Sequence, residues 1–319
     1  MESTPQARRT CSSLIIVVPV YNEEEVLPQF WERTKTVIDS LSCKTSVYFI
    51  DDGSKDQTLQ KLLVMAEEDT RIGVLSLSRN FGHQLAVTAG LAHAEDADAV
   101  VVIDADLQDP PELIPDMIAR FEDGVDVVYA QRKSRAGETP FKRITASLFY
   151  RTMRNLAGEQ FPVDTGDFRL MGNNIVRILN QMPEKRRFLR GMIAWTGFRQ
   201  EPLSFDRDER AAGKSKYGLA KMIKLAWSGI TSFSAAPLQA GFWVGVFMLV
   251  ACFLLSLRVL YARYILDSTV PGWTTIVLLQ LGFSGLMFFY LGILGDYVGR
   301  IYEDAKLRPT YILQMTKNI

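Results

Sequence analysis

Between Leu14 and Tyr129 the chain alternates short β-branched, apolar runs with helical segments, a rhythm that few folds accept. Strands are expected at Leu14–Val18, Val47–Ile50, Gly73–Leu77, Ala99–Ile103 and Val125–Tyr129. Helices are expected at Glu23–Leu41, Thr58–Glu68, His83–Ala94 and Pro111–Phe121. The first helix gathers Val26, Leu27, Phe30, Val37 and Ile38 on one face. This pattern predicts an α/β fold, a mainly parallel sheet with helices on both faces. Ligands of such sheets collect at the carboxyl ends of the strands. The polar motifs fall at those ends: Pro19-Val20-Tyr21-Asn22-Glu23, Asp51-Asp52-Gly53-Ser54, Ser78-Arg79-Asn80, Asp104-Ala105-Asp106 and Gln131-Arg132. Their shared position weighs more than any one of them.

Asp104 and Asp106, two apart, put both carboxylates on one side of an extended chain. Paired hard oxygens there suit a divalent cation clamped onto phosphates, with a solvated acidic turn as the bland alternative. In Asp51-Asp52-Gly53-Ser54 an aspartate can accept from a base N–H or a ribose hydroxyl, and Gly53 allows close backbone approach. A tight turn with a helix cap accounts as well for Ser54 and Asp56, and less well for the aspartate pair. Tyr21 offers a flat face to a base, whereas capping alone explains Asn22 and Glu23. Arg132 ends a strand near this edge, and Arg143 and Ser147, four apart, share a helix face. Arg207, Arg210, Lys214, Ser215 and Lys216 form a basic loop without phosphate-loop spacing. His83 and His93 read as local hydrogen-bonding residues, since neither has a partner at ligand spacing.

Lys+Arg and Asp+Glu both number 36, so charge balance calls for no nucleic acid or other particular partner. The three cysteines, Cys11, Cys43 and Cys252, form neither a disulfide framework nor a metal pattern and fit a reducing compartment. No signal peptide precedes Leu14, so the first domain is expected in the cytosol. Leu238–Leu257 and Trp273–Gly295 carry no charged side chain, and each can cross about 30 Å of hydrocarbon. They read as a transmembrane hairpin; a buried soluble helix pair is the alternative. Lysines before it and Arg300, Lys306 and Arg308 after it place both flanks in the cytoplasm. Within Lys214–Ser234 a basic amphipathic helix with Trp227 suits the headgroup plane. The expected division is a cytoplasmic catalytic domain at 1–212, a basic loop and interfacial helix at 213–236, the hairpin at 237–296 and a cytoplasmic tail at 297–319.

V-P-V-Y-N-E-E, I-D-D-G-S-x-D-x-T and I-D-A-D-L-Q-D-P-P-E, in this order, resemble the inverting nucleotide-sugar transferases of family 2, which have the GT-A fold. Ser78 to Gln84, Asp164 to Leu170 and the hairpin narrow the resemblance to polyprenyl-phosphate glycosyltransferases. It covers roughly the whole chain. It implies that Pro19, Tyr21, Glu23, Asp52 and Asp104 hold the nucleotide. Asp104, Asp106 and Gln108 would hold Mg²⁺ or Mn²⁺ and the diphosphate. Arg132, Arg143 and Ser147 would contact the lipid phosphate, and Arg207, Arg210, Lys214 and Lys216 would close over the diphosphate. Asp167 would position the sugar, with a structural salt bridge to Arg169 as the alternative. The implied reaction moves one hexose, glucose from UDP-glucose, to polyprenyl phosphate at the cytoplasmic membrane face. GDP-mannose or a modified arabinose donor would be the variant. A processive synthase would carry Q-x-x-R-W, which Arg186-Arg187-Phe188-Leu189-Arg190 lacks; a non-catalytic adaptor is the rival outside enzymes. The resemblance also implies a homotetramer.

Overall fold

The computed structural model describes residues 9–132, 165–205 and 272–319, with scattered positions between 243 and 265. The chain forms two compact units, Met1–Gly229 with Pro309–Ile319, and Ile230–Arg308.

The first unit is built on a sheet whose described strands are β1 (Ser13–Val20), β2 (Lys44–Asp51), β3 (Ile72–Leu77), β4 (Ala99–Val102), β5 (Val127–Arg132), β6 (Thr165–Gly172), β7 (Gln200–Phe205) and β8 (Leu313–Lys317). Their order is β7-β5-β6-β4-β1-β2-β3-β8. β1 pairs in parallel with β2 and β4, β2 with β3, and β5 with β7. The other pairings, β4 with β6, β5 with β6 and β3 with β8, are antiparallel. The helices are α1 (Leu27–Ser40), α2 (Thr58–Glu68), α3 (His83–Ala92), α4 (Ile114–Glu122), α5 (Asn173–Gln181) and α6 (Leu189–Trp195). This is the GT-A-like α/β arrangement that the resemblance implies.

Strands β3 and β4, and β1 beyond Ser13, are buried throughout and mostly apolar because both faces of the sheet are covered. On one face Phe30 of α1 meets Phe49 of β2 edge to face, with centroids 6.2 Å apart. α1 starts at Leu27 rather than Glu23: Glu23 C=O accepts from Val26 N–H and Leu27 N–H in a turn, and Pro28 fits the first helical turn. The helix after β4 opens with one turn of 3₁₀, Pro111–Leu113, before α4.

Two features of the topology position the site. β6 runs against β4 with Val102 opposite Arg169, so residues before Arg169 reach the carboxyl edge where Asp104 lies. The chain also returns to the sheet after the second unit: β8 covers the exposed edge of β3. Lys317 pairs with Glu67 at 2.7 Å, and the Asn318 amide donates to Ala66 and Ile72 carbonyls. The segment expected only as a tail is therefore part of the fold.

In the second unit, α7 (Trp273–Ala305) is a continuous helix of 33 residues. Counting only the described residues, no helix is long and apolar enough to cross a membrane. The hairpin expected over 237–296 is thus not seen among them. Most of Leu238–Leu257 and the whole of the expected interfacial helix lie outside the described residues.

Candidate active site

The ends of β1, β2, β3 and β4 open onto one cleft of about 660 Å³. Pro19, Tyr21 and Glu23 come from the first strand end, Asp52 from the second, Asn80, Gly82 and His83 from the third, and Asp104 and Asp106 from the fourth. The structure thus brings together Pro19, Tyr21, Glu23, Asp52, Asp104 and Asp106, all expected from sequence, but not Gln108. Gln108 is buried and does not line the cleft; its backbone N–H donates to Asp106 Oδ1 at 3.1 Å. Arg132 closes β5 in register with Phe205, and its side chain is outside the described set. Arg143, Ser147, Arg207, Arg210, Lys214 and Lys216 also lie outside the described residues.

The two aspartates at the end of β2 do different things. Asp51 is buried and structural: it accepts from Ser54 N–H at 3.1 Å and from the Ser76 hydroxyl at 3.0 Å. Asp52 faces the cleft but also accepts from Phe81 N–H at 2.7 Å and Gly82 N–H at 2.9 Å. Its carboxylate ties the loop after β3 to the loop after β2. Burial raises its pKa, and those two backbone donors oppose the rise. Gly53 has φ +68°, and a Cβ there would fall 2.5 Å from the Arg79 carbonyl carbon. Only glycine lets these two loops touch.

After β4 the chain leaves the extended form, so Asp104 and Asp106 share the cleft through a turn rather than by strand alternation. Leu107 adopts φ +60°, a conformation a leucine holds only where its surroundings impose it. Burial pushes the Asp104 carboxyl up to about 7; His83 opposes this, while Asp167, Asp106 and Asp109 reinforce it. Burial and then Asp106 also raise Glu23. Burial thus holds Glu23, Asp52 and Asp104 toward their neutral forms, and a bound cation would relieve that. Among the described residues no group of three or more His, Cys, Asp or Glu is arranged to hold a metal. Two carboxylates suit Mg²⁺ or Mn²⁺ that takes its remaining oxygens from a phosphate ligand and water. Protons and metal compete for Asp104. Apparent Mn²⁺ affinity should therefore hold above about pH 7 and fall about tenfold per unit below it. Titration of Mn²⁺ followed by electron paramagnetic resonance from pH 5.5 to 8 checks this; a flat profile contradicts it.

Asp167 stands beside the cleft rather than among its lining residues, and reaches it through His83. Its Oδ1 accepts from Arg190 Nε at 2.7 Å and its Oδ2 lies 3.0 Å from His83 Nε2. The same His83 nitrogen is 3.7 Å from Asp104 Oδ1. Burial alone would raise the Asp167 pKa, but Arg190 and His83 hold it well below the usual carboxylate range. The alternative salt bridge from Arg169 is not formed. Arg169 is buried and turns to the carbonyls of Gly166 and Asp167, at 2.9 and 3.4 Å. His93 is local, its Nδ1 lying 2.8 Å from the Ala89 carbonyl, but His83 belongs to the site and sequence reasoning missed it. Arg190 was missed too: the only sequence cue is its place in an arginine-rich run.

A family model described as glycosyl transferase family 2 matches residues 15–178. YkcC, an uncharacterized glycosyltransferase of Bacillus subtilis (strain 168), is 46% identical over 304 residues, covering 95% of this chain and 94% of its own length. The bactoprenol glucosyl transferase of Shigella phage SfV is 37% identical over 302 residues, covering 95% and 98%. Among solved structures, glucosyl-3-phosphoglycerate synthase from Mycobacterium tuberculosis, in complex with Mn²⁺, UDP and glucosyl-3-phosphoglycerate, is similar at 16% identity and TM-score 0.44, covering 68% of this chain and 76% of that one.

Proposed function

The chain belongs to glycosyl transferase family 2, and on that premise we propose that it transfers one hexose from a nucleotide-sugar donor to the phosphate of a membrane-embedded polyprenyl phosphate. The relative named bactoprenol glucosyl transferase supports glucose as the sugar, and UDP-glucose as the donor follows from the sequence resemblance. An acceptor phosphate oxygen attacks the anomeric carbon. The bond to the diphosphate breaks, the nucleoside diphosphate leaves with the electron pair, and the anomeric configuration inverts.

The observation that carries this reading is the state of Asp167. One cationic donor on one oxygen and an imidazole on the other keep it a carboxylate and a weak base. A sugar or lipid hydroxyl would need a base to remove its proton. A phosphate is already ionised at neutral pH and needs only positioning. Asp167 then receives sugar hydroxyls, while Asp104 and Asp106 would hold Mg²⁺ or Mn²⁺, which stabilises the charge growing on the leaving diphosphate. Tyr21 offers its half-open ring to the base. Arg132, the last residue of β5, would meet the acceptor phosphate.

A membrane hairpin is part of this reading, and chain connectivity is compatible with it. The first unit owns the chain on both sides of Ile230–Arg308, so any passage of that segment through a bilayer comes in an even number of crossings. α7 is uncharged from Trp273 to Gly295. Both flanks then lie on the cytoplasmic side, where Arg300, Lys306 and Arg308 meet anionic headgroups.

The test pairs each acceptor with each donor. Detergent-purified protein with Mn²⁺ receives undecaprenyl phosphate or undecaprenol, and radiolabelled UDP-glucose, GDP-mannose or a UDP-linked arabinose derivative. Label should enter the organic phase with the phosphate alone and one donor, UDP-glucose. Equal use of the alcohol would overturn the acceptor assignment.

A further inference from the structure

Three elements meet at Asp167, and one of their contacts has no counterpart in the donor or acceptor binding described above. β6 supplies the carboxylate, α6 supplies Arg190 to Oδ1, and α3 supplies its first residue, His83, to Oδ2 at 3.0 Å, with the Gln84 amide donating to the same oxygen at a longer 3.5 Å. A carboxylate held through one oxygen still turns about its Cβ–Cγ bond. Held through both, it has a fixed plane and keeps a lone pair on each oxygen for a ligand. We propose that His83 is the positioning residue that sets the plane of the sugar-facing Asp167 carboxylate beside Asp104. This inference rests on the reading of Asp167 as the receiver of sugar hydroxyls.

The surroundings of His83 are built for that placement. Gly82, at φ +100°, turns the chain into α3, and the Asp52 carboxylate holds the N–H groups of Phe81 and Gly82. Next to it, Gln84 accepts from Leu189 N–H at 3.0 Å and so braces the start of α6, which carries Arg190. The imidazole itself is 40% exposed, so it serves the cleft rather than the core. Because an ionised carboxylate only accepts, Nε2 carries the proton.

The test uses full-length protein and three changes. His83→Leu keeps bulk and removes the donor; His83→Gln restores an N–H; Asp167→Asn removes the acceptor charge. His83→Leu should lower kcat about tenfold to a hundredfold, with donor KM changed less than about twofold. His83→Gln should recover most of that loss. In an Asp167→Asn background His83→Leu should add little, because the two act as one unit. A raised KM at unchanged kcat, no recovery by Gln, or additive losses would each overturn the proposal. A second readout needs no turnover. The chain has two histidines, so nitrogen NMR of histidine-labelled protein resolves His83 once His83→Gln removes its signal. Asp167→Asn should shift the His83 Nε2 resonance and leave His93 unmoved; an unmoved His83 signal would overturn the contact. Should wild-type protein transfer no sugar while this shift is present, the reaction assignment fails and the His83–Asp167 pairing stands.

Discussion

Replacing Asp104 with Asn is expected to cut sugar transfer about a thousandfold or more, with the fold intact. Asparagine keeps the size and one oxygen but not the charge that a divalent cation requires. What is lost is stabilisation of the diphosphate as it leaves, so the loss falls on kcat and on kcat/KM together. The sign for stability is the opposite. Folding raises the Asp104 pKa to about 7 from 3.8, so its ionised form disfavours the metal-free fold, increasingly as pH rises from about 4 to 7. A neutral amide relieves the crowding from Asp106, Asp109 and Asp167. Metal-free Asp104→Asn should therefore melt no lower than wild type at pH 8. Scanning calorimetry beside the transfer assay checks both halves. An inactive variant that also melts well below wild type would make Asp104 a structural residue and remove the case for a metal there.

Gly53→Ala is expected to cost about 2–5 kcal/mol of stability, with weaker donor binding in whatever protein remains folded. Two effects add. Alanine at φ +68° is strained, and its Cβ would sit inside contact distance of the Arg79 and Asn80 backbone, which cannot swing away as a side chain can. The loops after β2 and β3 must then part. Parting them pulls Phe81 and Gly82 off the Asp52 carboxylate, and with them the cleft wall that bears Asn80 and His83. Chemical denaturation gives the stability change, and calorimetric titration with nucleoside diphosphate gives the binding change. An unaltered midpoint would mean that the two loops are not in contact in solution.

The cleft at the strand ends was legible in the sequence because consecutive strand ends supply it. β1, β3 and β4 are largely apolar and buried, β2 is buried over Phe49–Asp51, and each leads into a polar motif visible by itself. The cluster around Asp167 was not legible. Its members, His83, Asp167 and Arg190, are separated by 84 and 23 residues. They meet only because antiparallel β6 carries Asp167 back to the carboxyl edge. β6 hides from a hydrophobicity reading, since Thr165–Gly172 contains two glycines, Asp167 and the buried Arg169. β8 hides for another reason: five alternating residues look like any tail until β3 offers an edge to pair with. The aspartates at 104 and 106 were found for a partly wrong geometric reason. A turn with Leu107 in the left-handed region, not strand alternation, brings both to the cleft.

Phosphorus NMR of one complete reaction tests the central claim most directly. Purified protein, Mg²⁺, UDP-glucose and undecaprenyl phosphate would be followed to completion. The account predicts that the lipid phosphomonoester signal is replaced by a phosphodiester signal as UDP accumulates in equal amount. A phosphomonoester that persists while UDP-glucose is consumed would contradict it, because the sugar would then have gone to water or to a hydroxyl.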